Sequence, residues 1–269
     1  MSAQAVSLVV LHKFKTSTPC ARGSQLRSRR SHGSPGRHLW VHGSPRTDEP
    51  QADLAPIQAS AVRADELAVI APVYYDVVHL IVRRGSTIRS VADFAGRRVS
   101  AGLEGSGMRT SADQILAHFD LSVADLEAPS VHFTALLEST DYEAAIVTTG
   151  QRNGDLRRLF ASGAFELLGL PVADREALVG PTFRSLTLAA GTYPGLAPGD
   201  VATLATTTFL ATDHRASDRL VAATLEALYD GPLVAELELM PVDQAARWQL
   251  LDLHRAARKF FEERSLATR

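Results

Sequence analysis

Residues 102–116 read GLEGSGMRTSADQIL. Three glycines fall within six positions, and Met108, Ala112, Ile115, Leu116 and Phe119 then recur at spacings of 4, 3, 1 and 3. That recurrence is an apolar helix stripe. RRVSAG (97–102) just before it reads as a strand, so the glycines join a strand to a helix start. The first N–H groups of such a helix have no internal partner, and the helix dipole adds positive potential there. With the hydroxyls of Ser106 and Thr110 they form an anion cradle. Gly105 and Gly107 let backbone approach a ligand closely. Arg109 can offer a carboxylate two parallel contacts. The same spacing also fits a tight βα turn with no ligand. Without Gly-Lys-Ser/Thr the loop is not a P-loop, and Thr110 stands where a dinucleotide fingerprint needs its third glycine.

Working outward, the chain alternates strand and helix signals. ELAVIAP (66–72) reads as a buried strand stopped by Pro72, and VVHLIVRR (77–84) as a second, β-branched one. SVADFAG (90–96) fits a short helix with a Ser90/Asp93 capping box and Gly96 as its stop. VHFTALL (131–137) reads as a strand running into a helix, YEAAIVTTG (142–150) as a buried strand, and NGDLRRLFASG (153–163) as a helix capped by Asn153. FELLGLP (165–171) and TTTFLAT (206–212) read as strands. A helix from Ser217 to Tyr229 and a last one over about 243–263 complete the pattern. Strand, short helix, strand, Gly-turn, helix, strand indicates parallel βαβ units, an α/β protein whose ligands sit at the carboxyl ends of strands. Two loops lie at such ends, 102–110 and 148–154. In the second, Thr148 and Thr149 could face the same ligand, or merely open a capped turn. Tyr75 is either a core aromatic or a ring over the ligand.

Composition narrows the function classes. The 269 residues are 45% hydrophobic, ample for one large domain or two lobes, and no stretch approaches a membrane span. Residues 1–47 hold eight basic and no acidic residues, which leaves 20 basic against 30 acidic from residue 48 onward. An acidic body argues against a nucleic-acid surface. One cysteine, Cys20, allows neither an internal disulfide nor a cysteine-based metal cluster. Residues 20–50 are rich in Arg, Ser, His, Gly and Pro and repeat HGSP; residues 1–51 are read as a disordered basic leader, with no credible export signal. His79, His118, His132, His214 and His254 stand singly, and neither a nucleophile elbow nor a metal motif is present. The expectation is a non-catalytic protein without cofactor or metal.

YYDVVHLIVRRGSTIRSVADFAGRRVSAGLEGSGMRTSADQIL (74–116) resembles the characteristic stretch of TAXI-type solute receptors of TRAP transporters. AAIVTTG (144–150), AGTYPG (190–195) and LHRAARKFF (253–261) extend the likeness to about 53–262. The resemblance implies a type II periplasmic-binding-protein fold, two α/β lobes joined by strands near 77–84 and 206–212. The first lobe would combine 52–84 with 205–269, and the second would span 85–204. It implies a small carboxylate ligand, such as glutamate or a dicarboxylate, delivered outside the cytoplasm, in the periplasm, to a TRAP membrane permease. Gly105, Ser106, Gly107, Arg109 and Thr110 would face that ligand, with Thr148 and Thr149. Residues 1–50 do not resemble the family's opening glycine-rich strand, so the first lobe is expected to be incomplete. An enzyme or sensory domain on the same bilobal fold, or a truncated receptor without function, are the alternatives.

Overall fold

The apolar run that begins at Leu67 does not stop at Pro72. In the computed structural model it continues as one 17-residue strand to Arg83. Proline's fixed φ suits extended backbone, and only its missing N–H is lost to the ladder. The structure describes residues 54–59, 67–196, 198–231, 233–236, 239–246 and 252–267. The expectations for residues 1–51 fall outside them.

In chain order the elements are β1 (Ala55–Gln58), β2 (Leu67–Arg83), β3 (Val99–Ser100), α1 (Gly107–His118), α2 (Ala135–Glu138), β4 (Ala144–Thr149), α3 (Gly154–Ala161), β5 (Phe165–Leu168), α4 (Val172–Leu178), β6 (Phe183–Leu188), β7 (Val201–Asp213), α5 (Asp218–Tyr229), α6 (Leu233–Glu236), α7 (Val242–Ala245) and α8 (Arg255–Ala267). This is an α/β architecture, as the sequence pattern indicates, but the parallel pairing expected holds for β3 with β4, while β2 pairs β4 and β5, and β6 pairs β7, antiparallel. Val91–Phe94 forms a 3-10 turn closed by the Ser90/Asp93 capping box. Residues 131–134 form no strand; there the chain bonds to itself in turns that lead into α2.

The chain divides into two compact units. One holds 54–56, 67–73 and the described residues from 209 onward; the other holds 57–59 and 74–208. In the first unit α5 packs on α8 through Tyr229 against Phe260 and Phe261, and Arg264 reaches Asp230 at 2.6 Å. The long helix expected over 243–263 is two, α7 and α8. Between them His254 N donates to Val69 O at 2.8 Å and Val69 N to Asp252 O at 3.1 Å, so residues 252–254 run beside β2 instead of coiling.

In the second unit the strands lie in the order β7-β2-β4-β3, with β5 on β2 and β6 on β7. β4 runs antiparallel to β2, pairing Val78 with Thr148 and Leu80 with Ile146, and parallel to β3. Side chains alternate across the sheet. Val78, Leu80 and Val82 of β2, Ala144 and Ile146 of β4, and Leu204 of β7 share one face, which α1 covers with Ala112, Ile115 and Leu116. The opposite face carries Ile81, Ala145 and Val147 against α3 and Tyr193.

Candidate functional site

The glycine cluster resolves into two kinds of position. Gly102 and Gly105 hold φ of 81° and 75°, left-handed backbone that a side chain resists. Gly107, the first residue of α1, differs: a Cβ there would meet Oε1 of Gln58, the tip of a flexible side chain that would have to shift aside. Ser106 caps the helix, its Oγ accepting from Arg109 N at 3.1 Å and donating to Leu103 O at 2.7 Å. Thr110 donates to Ser106 O at 3.3 Å. Both hydroxyls expected to hold an anion are therefore spent on building the turn.

Arg109 is 7% exposed. Its Nη2 donates to Ser130 Oγ at 3.0 Å, and Nε lies 3.8 Å from Asp113 Oδ1 without a hydrogen bond. Ser130 reaches that position because 127–131 runs beside β3, with Ala101 N donating to Pro129 O at 2.9 Å and Ser100 Oγ to Val131 O at 2.8 Å. Thr148 and Thr149 part company. Thr148 points to the α1 face and is 2% exposed. Thr149 points the other way, where its Oγ1 accepts from Asn153 Nδ2 at 3.3 Å. Tyr75 is also on that far face, packed near Val77 and Ala205, with Arg184 over its ring and donating to its hydroxyl. The structure thus brings Gly107 and Thr148 together and leaves Thr149 and Tyr75 apart from them.

The α1-covered face turns polar at the end where α1 begins. Two residues beyond Val78 comes Asp76; beyond Ile146, Thr148; beyond Leu204, Thr206 and Thr208. These four share one side by strand alternation. Asp76 Oδ2 accepts from Gln58 Nε2 at 2.6 Å and from Thr208 Oγ1 at 2.7 Å. Gln58 Nε2 also reaches Thr148 O at 3.3 Å. Burial holds the Asp76 carboxyl above the ordinary range, and its two hydrogen bonds pull it back down. Three atoms here are buried without a hydrogen-bond partner: Gln58 Oε1, Thr148 Oγ1 and Thr206 Oγ1. Buried polar atoms are seldom left unpaired in folded proteins, so three at the polar end of one face call for an account.

Gln58, Asp76, Thr206 and Thr208 were not singled out from the sequence. Two signals were available: an acid inside the apolar run LAVIAPVYYDVVHLIV, and three consecutive threonines opening TTTFLAT. His79 proves to be a core residue. Its Nε2 and the Tyr193 hydroxyl are 2.7 Å apart, and burial pushes its pKa down to about 4, leaving it neutral near pH 7. Among the described residues no group of three His, Cys, Asp or Glu could hold a metal ion, and no helix is long and apolar enough to cross a membrane.

A sequence profile of the NMT1-like family matches residues 58–264. The chain belongs to the NMT1-like family. The match opens on Gln58, the residue that bonds Asp76 and lies against Gly107. The NMT1-like chain is similar to three solved structures. One is the periplasmic aliphatic sulphonate binding protein SsuA from Escherichia coli, at 13% identity over 81% of this chain and 66% of that one, with a TM-score of 0.45. Another is the alkanesulfonate-binding protein SsuA from Xanthomonas axonopodis pv. citri bound to MOPS, at 18% identity, 81% and 66% coverage, and a TM-score of 0.43. The third is the amino acid ABC transporter substrate-binding protein AbpA from Streptococcus pneumoniae bound to L-arginine, at 17% identity, 69% and 66% coverage, and a TM-score of 0.39. The NMT1-like chain spans about two thirds of the length of each.

Proposed function

We propose that this NMT1-like chain is a non-catalytic, extracytoplasmic solute receptor of the TAXI type, binding a small carboxylate for a TRAP permease. On this reading the fold is of the type II periplasmic-binding-protein kind, and the unit holding 74–208 carries the ligand site. The observation that supports it most is the chamber at the start of α1. There a 12-residue helix begins against Gln58, which bonds Thr148 O, on a face where Thr148 and Thr206 keep buried hydroxyls without partners, and on a glycine loop of the kind that resembles TAXI receptors. A helix start supplies N–H donors and positive potential to an anion without any titrating group. Arg109, at the third position of that helix, supplies a buried positive charge held by only one good hydrogen bond.

The test is a thermal-melt screen of the whole chain against small mono- and dicarboxylates. A binder at a hundred times its dissociation constant stabilises the folded state by about 2.7 kcal/mol, an easily read rise. Arg109→Ala is expected to remove the rise. A rise of the same size in that variant takes Arg109 out of the site, and a wild-type screen without any rise refutes the receptor reading.

A further inference from the structure

We infer that the polar end of the α1-covered face is a seat for a hydrogen-bond-donating head group, a primary carboxamide, and that Gln58's own carboxamide occupies it. This rests on the carboxylate-receptor reading and narrows it: the ligand class becomes a small carboxylic acid carrying a primary amide at its far end, not a dicarboxylate, with the amide rather than the carboxylate beside Gln58 and Asp76 and the carboxylate left to Arg109.

The seat has two chemically distinct sides. Asp76 Oδ2 faces donors, since both groups that reach it, Gln58 Nε2 at 2.6 Å and Thr208 Oγ1 at 2.7 Å, donate. On the other side, Oε1 of the same amide lies against Gly107, the first residue of α1, and takes no hydrogen bond from it. A carboxamide matches both sides with one planar group, N–H toward Asp76 and C=O toward the helix start. A carboxylate in that position would bring no donor to Asp76 Oδ2, the oxygen that both present partners reach with a donor.

Gln58 fills the seat imperfectly. Its Nε2 is bonded, but its Oε1 is buried without a partner, as are Thr148 Oγ1 and Thr206 Oγ1. A side chain tethered to β1 cannot shift to satisfy all of these together. A free amide can move, and each unpaired buried group that gains a partner favours the exchange. Gly107 keeps the exchange sterically open, because any larger residue would occupy the seat itself.

The experiment compares succinamate with succinate and glutaramate with glutarate by calorimetric titration of the whole chain near pH 7, with γ-aminobutyrate as an ammonium of matching length. Each amide acid is expected to bind at least about tenfold tighter than its dicarboxylate, as sites built around a hydrogen bond discriminate strongly. Gln58→Ala, which vacates the seat, is expected to tighten amide binding severalfold. Equal or tighter binding of the dicarboxylates overturns the donor seat and leaves the carboxylate reading standing. Tighter binding of γ-aminobutyrate than of succinamate overturns the carboxamide assignment. Unchanged amide affinity in Gln58→Ala overturns the claim that Gln58 occupies the seat. If no probe binds either form, both the inference and the carboxylate reading fall.

Discussion

Thr148→Val and Thr206→Val are expected to stabilise the protein while weakening its binding. The two residues are 2% and 0% exposed, and each hydroxyl is buried without a hydrogen-bond partner. Leaving such a group dry and unpaired costs about 1–3 kcal/mol. Valine replaces the hydroxyl with a methyl of similar size, keeps the β-branch and suits a strand at least as well. Each substitution should therefore raise the unfolding free energy by about 1–2 kcal/mol. With a urea m-value of about 1–3 kcal/mol/M, that moves a midpoint by several tenths of a molar unit or more. Two compact units need not unfold together. The clean readout is hydrogen exchange at β2 and β4 amides, Val78 and Ile146 among them, read beside the urea curve. Sites 148 and 206 lie on one face of the sheet, so the double variant tests coupling as well as the sum. If either single variant loses more than about 1 kcal/mol, its hydroxyl has a partner in solution, a buried water for example. The chamber would then be satisfied without any ligand, and the reasoning built on it would fail.

Three further variants probe the unit that holds 74–208. Gly195 and Gly163 both have left-handed φ, 82° and 70°, but a Cβ at 195 would collide with the carbonyl of Phe160 while one at 163 meets nothing. Gly163→Ala should cost only the backbone strain of about 1–2 kcal/mol, and Gly195→Ala roughly 1–3 kcal/mol more; equal losses in urea unfolding would refute the clash. Asp76 has a raised folded pKa, so its proton stays on in the folded state at pH values where the unfolded chain has released it. Ionising it in place costs stability as pH rises through that folded pKa. The stability of Asp76→Asn relative to wild type should accordingly grow with pH above the ordinary aspartate range; a difference that stays flat from pH 4 to 8 would contradict the burial.

Local pattern carried most of the elements and little of the chamber. The helix after the glycines, the Ser90 and Asn153 caps and the β4 strand follow from spacing and from side chains adjacent in sequence, which is what periodicity encodes. Pro72 misled because proline forbids one hydrogen bond, not an extended chain. The break at 252–254 depends on Val69, far back in the chain. The chamber depends on register in the same way. Asp76 meets Gln58 18 residues away and Thr208 132 residues away, and Thr148 meets Gln58 across 90. No window of sequence contains those pairs. Only strand order and alternation bring them to one side.

The same geometry reassigns the glycine loop. Its hydroxyls close their own turn, and Arg109 is directed to Ser130, so the loop's side chains are mostly committed to structure. What the loop delivers is position: it sets the first turn of α1 over the one end of an otherwise apolar face where an acid and three threonines gather. Thr148 and Thr206 add unpaired hydroxyls that valines would not, and a fold under selection for stability alone would shed them. A strand end that keeps such groups beside a helix start is better accounted for by recognition than by packing. On the proposed reading, specificity in this chain resides in the strands and in Gln58, Arg109 supplies charge, and the glycine motif, which draws the eye in the sequence, serves to aim the helix at them.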